Sequence, residues 1–205
     1  MPILVLVRHG QSIWNAEDRF TGWIDVPLSS AGEEEARQAG RLLKDFEFQV
    51  AYTSALMRAQ DTLAIMLDEM GKDMPIIRDS ALNERMYGNL QGLNKEQTRK
   101  RYSPEIVHLW RRSYDIPPPG GEALKDTAAR TLPFFERAIM GDISQGKNVL
   151  VAAHGNSNRS IVMAVEGLTG EQVVTVELAT GTPYVYELDA SGKMLGKKIL
   201  ALNPA

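Results

Sequence analysis

The chain has 205 residues, no cysteine, three histidines, and 23 Lys+Arg against 26 Asp+Glu, for a formal charge of −3. That length supports one compact domain with a substantial core, or two small ones. The missing cysteine excludes a disulfide scaffold, a thiolate metal site and a cysteine nucleophile, while the slightly acidic balance argues against a nucleic-acid-coating protein.

From the N-terminus, Ile3 to Val7 is an unbroken β-branched and leucine run, the signature of a strand buried on both faces of a largely parallel sheet. It then meets Arg8 and His9, so it lacks the apolar region and cleavage site of a secretory signal. No stretch reaches the ~18 apolar residues of a membrane span. The expectation is a cytoplasmic protein with neither membrane nor nucleic-acid partners.

Ser30 with Glu33 forms a capping-box pattern ahead of a helix from Ala31 to Asp45. Phe48 to Tyr52 and Pro75 to Arg78 read as strands framing a helix over 55–70, with Thr53 and Ser54 as its candidate caps. Asn94 with Gln97, and Ser103 before Pro104, announce two further helices. Asp115 to Gly121, with three prolines and two glycines, breaks any regular element and reads as a loop over a site. A helix over 122–143, a second buried strand at Val149 to Ala153, and a helix over 156–166 follow. Tyr184 to Leu188 and Leu195 to Leu200 then form a hairpin across Ser191-Gly192.

Strands alternating with helices predict an α/β three-layer sandwich, a mostly parallel central sheet with helices on both faces, in a single domain spanning 1–205. His9 and His154 each sit just past the carboxyl end of a buried strand and precede glycine and small polar residues. Ligands bind at such strand ends in open α/β sheets. A single histidine there is more often an ordinary polar terminator, but a matched pair reverses those odds. His108 has no comparable setting and reads as structural or surface.

Arg8 offers a planar fork for phosphate oxygens, and Ser12 and Asn15 add donors within the same turn. Arg58 falls in the first turn of its helix, where free backbone N–H groups also favour an anion. No phosphate-binding G-x-x-x-x-G-K-[ST] loop occurs, since Gly88 to Gly92 ahead of Lys95 has the wrong spacing. The available nucleophiles are His9 and a serine, and a neutral imidazole can attack phosphorus without a separate base. Taken alone, Glu84 reads as a surface carboxylate, and Arg111-Arg112 as a solvated helix end.

Arg8-His9-Gly10 with a later His154-Gly155-Asn156 resembles the histidine phosphatase superfamily. RHGQSIWN (8–15), FTGWIDVPLS (20–29), LNERMYGNLQGLNK (82–95), RRSYDIPPP (111–119), GGEALKD (120–126) and HGNSNRSIV (154–162) are similar to its cofactor-dependent phosphoglycerate mutase branch. The resemblance runs from residue 2 to about 188. It implies an isomerase that interconverts 2- and 3-phosphoglycerate through a phosphohistidine, primed by 2,3-bisphosphoglycerate and needing no metal. On that pattern His9 is the nucleophile, Glu84 the proton donor and acceptor, and His154, Arg8 and Arg58 stabilise the phosphoryl group. Ser12, Asn15, Thr21, Gly22, Gly155 and Asn156 would contact phosphate and substrate. Arg85, Tyr87, Lys95, Arg111 and Arg112 would hold the carboxylate and second phosphate.

Met86 stands where many relatives carry histidine, an insertion of longer mutases is missing before Gly120, and the tail after Leu200 is short. A homodimer is implied by the resemblance alone. Two alternatives share the pattern: a phosphatase in which water intercepts the phosphoenzyme, and a non-catalytic phospholigand-binding protein.

Overall fold

The computed structural model describes residues 1–202. Residues 203–205, the end of the expected domain and of the short tail, lie outside the described residues. Among the described residues six strands form one sheet in the order β3-β2-β4-β1-β5-β6. These are β1 (Ile3–Arg8), β2 (Val50–Thr53), β3 (Ile76–Arg78), β4 (Val149–Ala153), β5 (Pro183–Leu188) and β6 (Met194–Ile199). The first four run parallel, and β5 and β6 add an antiparallel edge.

The unbroken apolar runs have the cause the sequence suggests, because the central strands are covered on both sides. Leu4 and Leu6 of β1 face one cluster with Val149 and Val151, while Val5 and Val7 face the other with Leu150 and Ala152. The first cluster is closed by α6 (Leu124–Phe134), α7 (Met140–Ser144) and α8 (Gly155–Glu166). The second is closed by α2 (Ser30–Leu43) and α3 (Met57–Met70). Each fully buried aliphatic side chain contributes roughly 1.5–3 kcal/mol relative to exposure. The expected α/β sandwich is therefore the observed one. A smaller cluster of Phe20, Leu90 and Val107 lies beneath α4 (Lys95–Tyr102) and α5 (Pro104–Arg112).

Several local expectations change by a residue or a role. The cap of α2 is Ser29, whose hydroxyl accepts from Gly32 N, rather than Ser30. Thr53 and Ser54 do not cap α3, which begins at Met57 with Leu56 as its cap residue and no side-chain cap bond. Thr53 instead donates to Ala152 O across the sheet, and Ser54 reaches His154. Asn94 and Ser103 do cap α4 and α5. The long helix expected over 122–143 starts at Leu124 and widens into a π turn at Phe135–Ile139 before α7. Pro133, inside α6, removes one backbone donor and so interrupts the ladder there. The sequence reading missed two short helices, α1 (Ile13–Ala16) and α9 (Gly170–Val173), although each opens on a capping box, Ser12 with Asn15 and Thr169 with Gln172.

The Pro-Gly segment does not cover the site. It packs backbone against backbone on the turn Gly88–Leu90, with Asn89 N donating to Pro119 O at 2.9 Å. Gly88 has φ +53°, and a Cβ there would meet Gly120 C at 2.3 Å, so only glycine permits this approach.

Candidate active site

Parallel pairing of β1 with β4 sets Arg8 opposite Ala153, and His9 N donates to Ala153 O at 2.9 Å. The two histidines that follow these strand ends are thereby brought together, with ring centroids 5.0 Å apart in an edge-to-face arrangement. Gly10 allows the loop after His9 to lie against the first turn of α2, since a Cβ at Gly10 would meet Gly32 O at 2.2 Å. The loop after His9 is wedged between a strand and a helix.

His9 Nδ1 lies 2.7 Å from Gly10 O. A carbonyl oxygen only accepts, so Nδ1 carries the proton and Nε2 keeps its lone pair. Arg58 Nε donates toward that Nε2 at 3.4 Å. Burial, then the charges of Arg58 and Arg8, hold the His9 pKa well below its usual value, so the ring is neutral at pH 7. His154 is also buried and depressed, first by burial and then by Arg58. Its Nε2 pairs with Ser54 Oγ at 2.7 Å, while its Nδ1 has no partner.

Arg58 is itself fixed from a distance: Nη2 donates to Gly22 O at 2.8 Å and Nη1 to Ile24 O at 3.2 Å. The N-terminus of its helix is engaged by a protein carboxylate, with Met57 N donating to Asp25 Oδ1 at 2.8 Å. That backbone donor therefore serves Asp25, and the guanidinium is the group left for a ligand.

Glu84 Oε1 accepts from Arg85 N, Asn156 N and Asn156 Nδ2 at 2.8–3.0 Å. Burial works to raise its pKa. Arg8, the bonds from Arg85 N and Asn156, and Arg58 outweigh burial and bring it down to about 2. Its main chain is clamped as well, because Glu84 O accepts from Trp23 Nε1 and Arg130 Nη2.

His9, Glu84 and His154 each bring one ligand atom within 4.8 Å of the others. Two guanidinium groups act on the same space, so a metal cation would enter a positive field that attracts an anion instead. Three buried polar atoms here lack a protein partner: Arg8 Nε, Thr21 Oγ1 and His154 Nδ1. Each can donate a hydrogen bond, which suits phosphoryl oxygens.

A family model for the histidine phosphatase superfamily (branch 1) matches residues 4–198. The chain belongs to the histidine phosphatase superfamily. A 2,3-bisphosphoglycerate-dependent phosphoglycerate mutase of Parvibaculum lavamentivorans is 56% identical over 201 residues, 97% of this chain and 96% of that one. A phosphoglycerate mutase of Schizosaccharomyces pombe is 52% identical over 201 residues, 97% and 95% of the two chains. Among solved structures, Bacillus stearothermophilus YhfR superposes with a TM-score of 0.83 at 26% identity, covering 95% and 94%. A mycobacterial glucosyl-3-phosphoglycerate phosphatase has a TM-score of 0.84 at 24% identity with full coverage, a likeness of fold.

In this histidine phosphatase superfamily member the buried floor opens into a cavity of about 210 Å³, below the ~300 Å³ at which drug-sized ligand sites begin. Of the residues expected from sequence, Arg8, His9, Asn15, Thr21, Gly22, Arg58, Glu84, Tyr87, Lys95, Arg111, Arg112, Gly155 and Asn156 line it. Ser12, Arg85 and His154 do not, and neither does Met86; His154 is fully buried and lies edge-on against His9 rather than at the cavity wall. Ser12 is buried and caps α1, accepting from Asn15 N. Arg85 lies behind the wall, where Nη2 donates to Tyr87 Oη and to Arg111 O, both at 3.0 Å. Its role is to hold Tyr87 and the end of α5. Met86 is tied by its backbone to Glu122. His108 is exposed, as expected.

The sequence reading missed Arg19, Phe20, Arg159 and Glu177, which also line the cavity, and Trp23 and Arg130, which hold Glu84. Arg159 had a usable signal: it lies three residues beyond Asn156 on the same helix, and its Nη1 donates to Asn156 Oδ1. The outer cavity thus carries Lys95, Arg111, Arg112 and Arg159, set on α4, α5 and α8, together with Arg19 from the loop after α1.

Proposed function

We propose that this protein is a 2,3-bisphosphoglycerate-dependent phosphoglycerate mutase, interconverting 2- and 3-phosphoglycerate through a phosphohistidine at His9. The observation that carries the reading is the division of the cavity's cations into two groups. Arg8 and Arg58 surround His9, and Arg19, Lys95, Arg111, Arg112 and Arg159 form a second group at the mouth. A substrate with one anion needs only the first group. Phosphoglycerate, with a phosphate and a carboxylate, and its bisphosphate use both. The identity with named mutases over nearly the whole chain supports the same reading.

The primer supplies the phosphoryl group that loads His9. His9 attacks with Nε2 while Gly10 O retains the Nδ1 proton. Charge that develops on the three phosphoryl oxygens meets Arg8, Arg58 and His154, already in place, so little reorganisation accompanies transfer. Glu84, ionised before substrate arrives, accepts the proton of the substrate hydroxyl as it attacks the phosphohistidine, and returns it to the leaving oxygen in the reverse step. A carboxylate held near 2 is a weak base. A bound phosphate occupies Arg8 and Arg58, weakens their pull on Glu84, and raises its pKa toward a range useful for proton transfer. Substrate binding thereby switches on the acid–base residue.

The decisive assay incubates the protein with 3-phosphoglycerate, with and without a trace of 2,3-bisphosphoglycerate, following 2-phosphoglycerate and inorganic phosphate together. The expected result is primer-stimulated isomerisation without stoichiometric phosphate release. Release of phosphate as the main product would replace the mutase by a phosphatase, and binding without either product by a phospholigand-binding protein. We also infer a cytoplasmic enzyme; no helix among the described residues is long and apolar enough to cross a membrane.

A further inference from the structure

Besides Glu84 at the floor, the cavity is lined by a second acid, Glu177, at its mouth. Glu177 Oε1 lies 2.7 Å from Arg112 Nη2, and Oε2 lies 3.6 Å from Arg159 Nη2. Unlike Glu84, it is not locked in place, since its side chain is 69% exposed. Its backbone, by contrast, is anchored. Tyr184 Oη donates to Glu177 O, Arg159 Nε donates to Val176 O, and Arg8 Nη1 donates to Leu178 O, which fixes the backbone from which the side chain extends.

A carboxylate facing two guanidinium groups has the pairing that the carboxylate or distal phosphate of a ligand would adopt on the same arginines. We infer that Glu177 is a built-in competitor for the second anion of the substrate: it neutralises Arg112 and Arg159 in the free protein and is displaced when a two-anion ligand binds. The inference rests on the mutase reading for the identity of the ligand, but its electrostatics need only a ligand with a second anion. Two consequences follow from the chemistry. A ligand with a single phosphate gains nothing by displacing Glu177, so the residue tunes the mouth without touching the floor. A ligand leaving the mouth is replaced by Glu177, so the arginines do not have to be stripped of every counter-charge before the bisphosphorylated intermediate turns or departs.

The test compares wild type with Glu177→Gln, which keeps the shape and removes the charge. Glu171→Gln, on the exposed first turn of α9 outside the cavity, is the control for net charge. Calorimetric titration uses two probes: 3-phosphoglycerate without primer, and orthophosphate. Glu177→Gln is expected to tighten 3-phosphoglycerate about three- to five-fold, the scale of a half-exposed ion pair, while leaving orthophosphate unchanged. Glu171→Gln should move neither. Unchanged or weakened 3-phosphoglycerate binding in Glu177→Gln overturns the proposal, the latter because it would make Glu177 a support for the arginines. Equal tightening of both probes, or the same gain from Glu171→Gln, also overturns it by reducing the effect to general charge. Because this readout is equilibrium binding, it stands or falls separately from the isomerisation assay.

Discussion

The floor and the mouth of the cavity are built on opposite principles. At the floor, His9, His154, Arg58 and Glu84 are buried, the first three at strand ends or a helix start and Glu84 in an irregular segment, and all are tied by hydrogen bonds to backbone or to side chains themselves fixed. At the mouth, Lys95 pairs with Asp18 at 2.9 Å and Arg112 with Glu177 at 2.7 Å, both partners being more than half exposed. Phosphoryl transfer needs donors already oriented where charge develops, which rigid burial supplies. Holding and releasing a small anion needs pairs that exchange cheaply, which exposed ion pairs supply. On the proposed reading, chemistry and retention are divided between the two regions, and substitutions in them should produce different kinetic signatures.

The largest effect is expected at the nucleophile. His9→Ala should abolish acid-labile phosphoenzyme and lower activity at least roughly ten-thousand-fold, as measured by radiolabelled primer and by turnover. Undiminished labelling would remove His9 from the role. Next, Glu84→Gln should reduce kcat by about 10²–10⁴ while orthophosphate binding is retained, because proton transfer is lost but the arginines remain. A kcat within ten-fold of wild type would move the acid–base role elsewhere.

The floor also sets a pH dependence of stability. His9 and His154 have folded pKa values below the unfolded value of 6.5, so the unfolded chain binds protons below that pH that the folded protein does not. Stability therefore falls with acidification, by up to about 1.4 kcal/mol per pH unit for each histidine. Glu84, at about 2 against 4.5, adds stability that is present above 4.5 and lost as pH falls through 2. Urea unfolding at pH 7.5, 6.5 and 5.5 should show a loss concentrated in the last step. A flat or rising profile would contradict neutral buried histidines. The smallest of these effects belongs to the mouth: Arg112→Ala should raise KM for 3-phosphoglycerate by about ten-fold with kcat changed less than about two-fold. A matching fall in kcat would mean that floor and mouth are coupled, and the comparison would break.

Much of the frame was legible because its signals are local. The runs at Ile3 to Val7 and Val149 to Ala153 read as doubly buried strands, and the matched positions of His9 and His154 became contact once β1 and β4 paired in parallel. Asn94 and Ser103 announced their helices by capping chemistry that spans only three residues. What failed was long-range. Ser54 looked like a cap, but a histidine 100 residues away takes its hydroxyl. Glu84 alone read as a surface carboxylate, yet it is buried, and its pKa is lowered because Arg8 and Arg58 arrive from other parts of the chain. Ser12 and Arg85 sit beside site residues in sequence yet spend their polar atoms on the scaffold. Glu177 had no local signal at all, since its meaning comes from the arginines it meets.

The pairing of β1 with β4 also orders events during synthesis. β1 is made first, but the strand that completes its parallel edge begins only at Val149, so it waits for most of the chain before finding that neighbour. Until then His9 lacks the Ala153 carbonyl that accepts from its main chain, and it lacks the second histidine. A ribosome-bound fragment that ends before Val149 therefore carries His9 without these partners, and the proposed site can be completed only late in translation, when the centre of the sheet closes.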